Sequence, residues 1–143
     1  MLYVNGSDIA KLTIGAIAEN RASFAIPPKT FSVRPEEFLF TIDSWLREQR
    51  IDLKSISDLA VVVGPGSATA LRTILAWANT FAFTQSIPMY SIELAPGVDD
   101  RAALIDLAGT HSVPMLRPLY ANAPTITATK KDALRRNISP QSF

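Results

Sequence analysis

The sequence has no cysteine, a single histidine and almost no net charge over its 143 residues. The missing thiols exclude disulfides, thiolate metal sites and a cysteine nucleophile, and they suit a reducing compartment. A formal net charge of +1 provides no broad field for nucleic acid or an acidic membrane surface. The carboxylates are scattered without metal-ligand spacing. We therefore expect no metal site and a cytoplasmic location.

Long apolar runs are also missing. No stretch of the sequence is apolar over the length that a bilayer requires. The first residues, MLYVNGSD, lack the basic and apolar regions of a secretory signal. The 48% hydrophobic content is nevertheless enough for one ordinary core. We expect a soluble intracellular chain with no membrane partner.

Alternation of apolar and polar residues predicts three strands at the start of the chain. The first is Leu2 to Asn5, closed by Gly6, Ser7 and Asp8. The second and third lie in KLTIGAIAEN and RASFAIPPK, and Pro27 with Pro28 is expected to end the third. Helical spacing then predicts an amphipathic helix over residues 35–50 with Phe40 on its outer face. Its inner face is expected to comprise Phe38, Leu39, Ile42, Trp45, Leu46 and Gln49.

A continuously apolar run from Leu59 to Val63 is typical of a strand that is buried on both faces. A Gly-Pro-Gly turn, a helix over residues 67–85 and the strand IPMYSIE follow. The order βββαβαβ predicts an α/β fold, a mixed sheet with helices packed on it. Beyond residue 97 the pattern weakens to two short strands or a helix and a strand. The basic end of the chain, ANAPTITATKKDALRRNISPQSF, is expected to form an extended tail.

The second helix carries one charge, Arg72, along its whole length. One face is apolar, with Leu71, Ile74, Leu75, Ala78 and Ala82. A helix that is apolar or small on both sides is covered on both sides. The second cover is either the C-terminal segment or a partner protein. For the partner, the predicted interface residues are Phe40, Thr73, Ala76, Trp77, Thr80 and Phe83.

The stretch VVVGPGSATALR contains the other candidate site. Gly64, Pro65, Gly66 and Ser67 lie between a strand and a helix, where free amides attract anions. The stretch lacks the lysine of a phosphate-binding loop, the third glycine of a dinucleotide fingerprint and the spacing of a nucleophile elbow. These four residues are therefore a structural turn or an anion site. The lone His111 supports no catalytic pair, and we name no catalytic residue.

The stretch DLAVVVGPGSATALRTILAWANTFAFTQSIPMYSIE resembles the TsaB (YeaZ) family, and RPLYANAPTITATKK resembles the closing motif of that family. The resemblance implies half of an actin-like ATPase fold (ASKHA, ribonuclease H-like). It implies a domain over residues 1–97, with residues 98–143 as a vestige of a second domain and a tail. Asn5-Gly6-Ser7, Ala68 and Ala70 depart from the usual family pattern.

The resemblance also implies a function. The chain would be a non-catalytic subunit of the complex that makes N6-threonylcarbamoyladenosine in tRNA, with no cofactor of its own. It would bind a TsaD-like protein through helices at about 35–50 and 67–85, with a TsaE-like ATPase as a further component and tRNA contacted only indirectly. Alone, it would form a homodimer. The alternative is a small nucleotide-binding or phosphotransfer enzyme that uses the Gly-Pro-Gly turn as an anion site.

Overall fold

A computed structural model describes residues 1–121, which form one six-stranded mixed sheet. The strands are β1 (Leu2–Asp8), β2 (Lys11–Ile17), β3 (Phe24–Phe31), β4 (Leu59–Gly64), β5 (Met89–Glu93) and β6 (Ser112–Val113). The helices are α1 (Phe38–Glu48), α2 (Ala68–Gln85) and α3 (Ala102–Ala108). The strand order across the sheet is β3-β2-β1-β4-β5-β6.

The predicted order βββαβαβ is confirmed. β1, β2 and β3 form an antiparallel meander, whereas β4 pairs in parallel with both β1 and β5. The parallel pairs follow from the chain order, because α1 precedes β4 and α2 precedes β5, and each helix returns the chain to the end of the sheet at which β1 begins. β4 is buried at every position, as its unbroken apolar run requires.

Two strand boundaries differ from the prediction. Pro27 and Pro28 lie inside β3 and do not end it. The strand tolerates them because β3 is an edge of the sheet, where prolines interrupt few ladder hydrogen bonds. β1 continues beyond Asn5 to Asp8, which pairs with Lys11 across the hairpin. Gly6 is useful inside this strand because a Cβ there would lie 2.9 Å from Ile74 of α2.

The larger half of the core lies between the sheet and the two longer helices. α1 contributes Phe38, Ile42 and Trp45, each at most 2% exposed. α2 contributes the predicted apolar face, and all five of its residues are buried. Leu39 was predicted to join this core, but its side chain is 51% exposed. It lies at the edge of the helix pair, where it lines a groove against α2.

The opposite face of the sheet is covered by α3 alone among the described residues. Ala103 and Leu107 of α3 are buried against Tyr3, Val62 and Ile92 of the sheet. Of the two predictions for the region after residue 97, the helix and strand are correct. The helix packs on the same sheet and the strand joins it as β6. The domain division at residue 97 stays a prediction. The predicted extended tail lies outside the described residues.

None of the helices in residues 1–121 has the length and apolar character needed to cross a membrane.

Candidate functional site

α2 begins and ends with local signals that fix its position on the sheet. Ser67 is its N-cap, and the Ser67 hydroxyl accepts a hydrogen bond from the Ala70 amide at 3.3 Å. Ser86 ends the helix in the left-handed conformation with φ of 55°. The apolar face of the helix is buried, so the helix presents its other side outward.

We call that outward side, together with the adjoining part of α1, the helix face. It consists of Leu39, Phe40, Thr73, Ala76, Trp77, Thr80 and Phe83. The side chain of Phe83 is 87% exposed and that of Phe40 is 74% exposed. Trp77 is half-buried and stacks on Phe81, with the ring centroids 5.4 Å apart. A groove of about 560 Å³ runs between Leu39 and α2.

The helix face has the composition of an interface. Leu39 and Trp77 line one groove together with Thr73, Ala76 and Thr80, and small residues of this kind allow a second helix to approach closely. Phe40 and Phe83 are exposed on the same two helices. Arg72 at the rim is the helix's only charge. A patch of exposed apolar side chains more often marks a binding surface than a surface that stays in contact with water.

The C-terminal segment was the alternative cover for α2, and its described part lies along the flank of the helix. Asn79 donates from Nδ2 to the Leu116 carbonyl at 3.2 Å and accepts the Leu116 amide at 2.8 Å. Residues 116–121 then lead away to the Gly-Pro-Gly turn and leave Thr80 and Phe83 exposed. The remainder of that segment lies outside the described residues.

At the Gly-Pro-Gly turn, the carbonyls of Gly64 and Gly66 and the amides of Gly66 and Ser67 are paired within the chain. Gly64 adopts φ of +131°, which a side chain would strain, and its carbonyl accepts the Leu94 amide at 2.9 Å. The Gly66 amide donates to the Leu119 carbonyl at 3.1 Å, and the Ser67 amide donates to the Ser7 carbonyl at 2.8 Å. A Cβ on Gly66 would collide with the backbone of Ser7, which explains a glycine here.

A cleft of about 430 Å³ opens beside this turn, and Gly66 and Ser67 form part of its lining. The residues present do not fit phosphates. The Gly66 and Ser67 amides already have acceptors. Asp8 and Asp100 line the cleft, and Lys11 is the only basic residue among its lining. Two carboxylates against one ammonium group repel a polyphosphate, so the cleft lacks the positive charge that a phosphate cradle supplies.

A buried polar network that sequence reasoning missed lies under the cleft. The Tyr3 hydroxyl donates to Asp100 Oδ1 at 2.6 Å, and Asn5 Nδ2 reaches the same oxygen at 3.5 Å. Burial raises the pKa of the Tyr3 phenol well above its usual value, and the hydrogen bond to Asp100 raises it further. The only sequence signal is a tyrosine between the apolar residues Leu2 and Val4 at the start of β1. The network ties β1 to the loop before α3.

The histidine is remote from this chemistry. His111 is exposed next to β6, and within residues 1–121 no hydrogen bond joins it to Ser67. Among the same residues, no three side chains of histidine, cysteine, aspartate or glutamate are grouped to hold a metal ion.

The antiparallel meander followed by two parallel crossovers is the half-fold of the actin-like ATPase class. A family model described as TsaD, tRNA N6-adenosine threonylcarbamoyltransferase, matches residues 26–99. Because this match covers more than half of the chain, the chain belongs to that family. The resemblance to TsaB (YeaZ) drawn from the sequence is confirmed by this family and by the fold.

The solved structures that the chain resembles include YeaZ from Pseudomonas aeruginosa, with a TM-score of 0.55 at 17% identity. A second is a crystal structure of an uncharacterized protein with similarity to peptidase YEAZ from the same organism, with the same score and identity. In both comparisons the match covers 64% of this chain and 42% of the other. The chain therefore spans less than half of these relatives, and the likeness shows the fold. No curated protein sequence matches significantly.

Proposed function

We propose that the chain is a non-catalytic subunit of the machinery that makes N6-threonylcarbamoyladenosine in tRNA. It binds a TsaD-like protein through α1 and α2 and positions that protein, which carries the chemistry. The family supports the tRNA-modification part of this proposal, since the matching model describes a tRNA threonylcarbamoyltransferase. The likeness of the fold to that of YeaZ is consistent with this part of the proposal.

The single observation that carries the binding role is the helix face. Phe83 projects 87% exposed from a helix whose opposite side is fully buried. Burying an exposed phenylalanine stabilises a complex by about 1.5 to 3 kcal/mol. Leu39 of α1 and Trp77 of α2 line a shared groove, and Phe40 is a further exposed aromatic residue on α1. A related protein with a matching helix pair would cover it, and a second copy of this chain would do so when that partner is absent.

The non-catalytic part of the proposal rests on the turn and cleft. An enzyme that acts on a nucleotide needs groups that donate hydrogen bonds to the phosphates. The Gly66 and Ser67 amides instead donate to carbonyl oxygens within the chain. The alternative of a small phosphotransfer enzyme is tested by calorimetry with ATP and magnesium. Binding that depends on Ser67 would favour the enzyme.

The decisive experiment is titration of the purified chain against the TsaD-like protein from the same genome. We expect a complex at micromolar concentrations. Thr80→Glu places a charge in the middle of the helix face, and burial of an unpaired charge should weaken the complex about 100-fold or more. Thr80 is exposed in the isolated chain, so the fold should survive the substitution.

Ser23→Glu is the matched control. Ser23 is also exposed, but it lies in the turn before β3, near the side of the sheet that α3 covers. This variant should bind as the unmodified chain does. Failure of two folded proteins to associate would overturn the proposal. Equal binding by the Thr80→Glu variant would overturn the assignment of the surface.

A further inference from the structure

A short segment after β6 forms backbone hydrogen bonds with the Gly-Pro-Gly turn and with the end of β4, both as donor and as acceptor. The Leu119 amide donates to the Val63 carbonyl at 2.8 Å, and the Leu119 carbonyl accepts the Gly66 amide at 3.1 Å. The Ala121 amide then donates to the Gly66 carbonyl at 3.0 Å. Tyr120 forms a parallel bridge with Gly66, and its half-buried side chain packs on the larger core.

The same segment is attached to α2 at its other end. Leu116 is 3% exposed, and its amide and carbonyl both bond to the Asn79 side chain. Asn79 lies 12 positions after Ser67, which is about 18 Å along a helix. Residues 116–121, which we call the strap, therefore join the start of α2 to its middle.

We infer that the strap is an internal occupant of the anion position of the Gly-Pro-Gly turn and a brace that couples this turn to α2. A peptide carbonyl, that of Leu119, takes the amide that a phosphate oxygen would need. While the strap is in place, the turn does not bind inorganic phosphate. The inference gives the motif RPLY a physical role, because Leu119 pairs with the turn and Tyr120 anchors the strap in the core.

The brace makes a prediction that purely local contacts would not. Asn79→Ala removes both bonds that hold Leu116, although residue 79 does not touch Gly66. We expect the strap to open more often and the Gly66 amide to exchange with solvent about tenfold faster. The Ser67 amide bonds to Ser7 and not to the strap, so its exchange should change much less. The measurement is amide hydrogen exchange by NMR on the full chain.

Two further variants keep this test decisive. Thr80→Ala changes the neighbouring exposed residue and should leave the exchange of Gly66 unchanged. Asn79→Asp keeps the acceptor for the Leu116 amide and should give an intermediate rate, which serves if the alanine variant unfolds. The Val62 amide in the central strand β4 reports global unfolding, and Gly66 exchange is read relative to it.

A phosphate titration checks the occupant directly. Inorganic phosphate added to the unmodified chain should not move the NMR signals of the Gly66 and Ser67 amides. A saturable shift of both signals would overturn the inference. Gly66 exchange that is equal in the Asn79→Ala, Asn79→Asp and unmodified chains would overturn the brace. Neither result bears on whether the chain binds a TsaD-like protein, which the titration described above tests separately.

Discussion

The turn at the start of α2 and the outer side of the same helix differ in how many of their groups have partners within the chain. At its start, the Gly66 and Ser67 amides and the Gly64 and Gly66 carbonyls are paired with Ser7, Leu94, Leu119 and Ala121. Along its outer side, by contrast, Phe83 and neighbouring apolar groups have no cover within residues 1–121. A site for a ligand must leave something unsatisfied in the isolated chain. By that criterion the helix face, and not the turn, fits the binding surface that we propose.

The largest expected effect is at the turn. Gly64→Ala forces a side chain into φ of +131° and against the Leu119 carbonyl. Strain and overlap together should lower the free energy of unfolding by about 3 to 5 kcal/mol. Gly109→Ala is the control, since a Cβ there would lie 3.8 Å from its nearest neighbour, the Asp106 carbonyl. Urea denaturation measures both, and a small loss for Gly64→Ala would show that the turn is looser than described.

The next effect concerns the helix face. Phe83→Ala should weaken binding of the TsaD-like protein by about 2 kcal/mol, or about 30-fold, as interface aromatics do. It should leave the free energy of unfolding within about 0.5 kcal/mol because the ring is exposed. Ile105→Ala is the control, since Ile105 is 79% exposed on α3 at the other side of the sheet. Calorimetric titration should find the Ile105→Ala variant unchanged. Equal losses for both variants would remove the distinction between the two faces.

The smallest effect concerns the network under the cleft. Tyr3→Phe removes the hydrogen bond to Asp100 and should cost about 1 kcal/mol at neutral pH. The folded-state pKa of Tyr3 is raised, so this tyrosine favours folding up to its unfolded pKa of about 10. Above that pH the unfolded chain ionises first, and stability should fall by about 1.4 kcal/mol per pH unit.

The Tyr3→Phe variant should lack that component of the alkaline loss. Urea denaturation of both chains between pH 9 and pH 11, roughly the range around the unfolded tyrosine pKa, gives the difference directly. Parallel curves for the two chains would mean that the Tyr3 hydroxyl is not held as described.

The parts of the fold that sequence predicts are those with local causes. α2 follows from a serine cap, a 3.6-residue apolar period and a left-handed stop after Gln85. The exposure of Phe40 follows from the same period in α1. The prediction for Leu39 was wrong because its burial depends on how α2 lies beside α1, where a groove remains between them. The prediction for Pro27 and Pro28 was wrong because the position of a strand at the edge of a sheet decides whether it tolerates proline.

The contacts that define the two sites have no local signal. Leu119 pairs with Gly66 across more than fifty residues, and Tyr3 meets Asp100 across 97 positions. The sequence left the turn as a structural element or an anion site, and no pattern near Gly66 shows which. The amide pairing decides what the turn has free to offer, and it exists only in the folded chain.

Hydroxyl-radical footprinting of the complex with the TsaD-like protein tests the central claim most directly. Phe40 and Phe83 are exposed in the isolated chain and should both be protected from oxidation in the complex. Ile105, which is 79% exposed on α3 at the other side of the sheet, should be oxidised equally in both states. Undiminished oxidation of Phe83 in a complex that has formed would contradict the assignment of α1 and α2 as the binding surface.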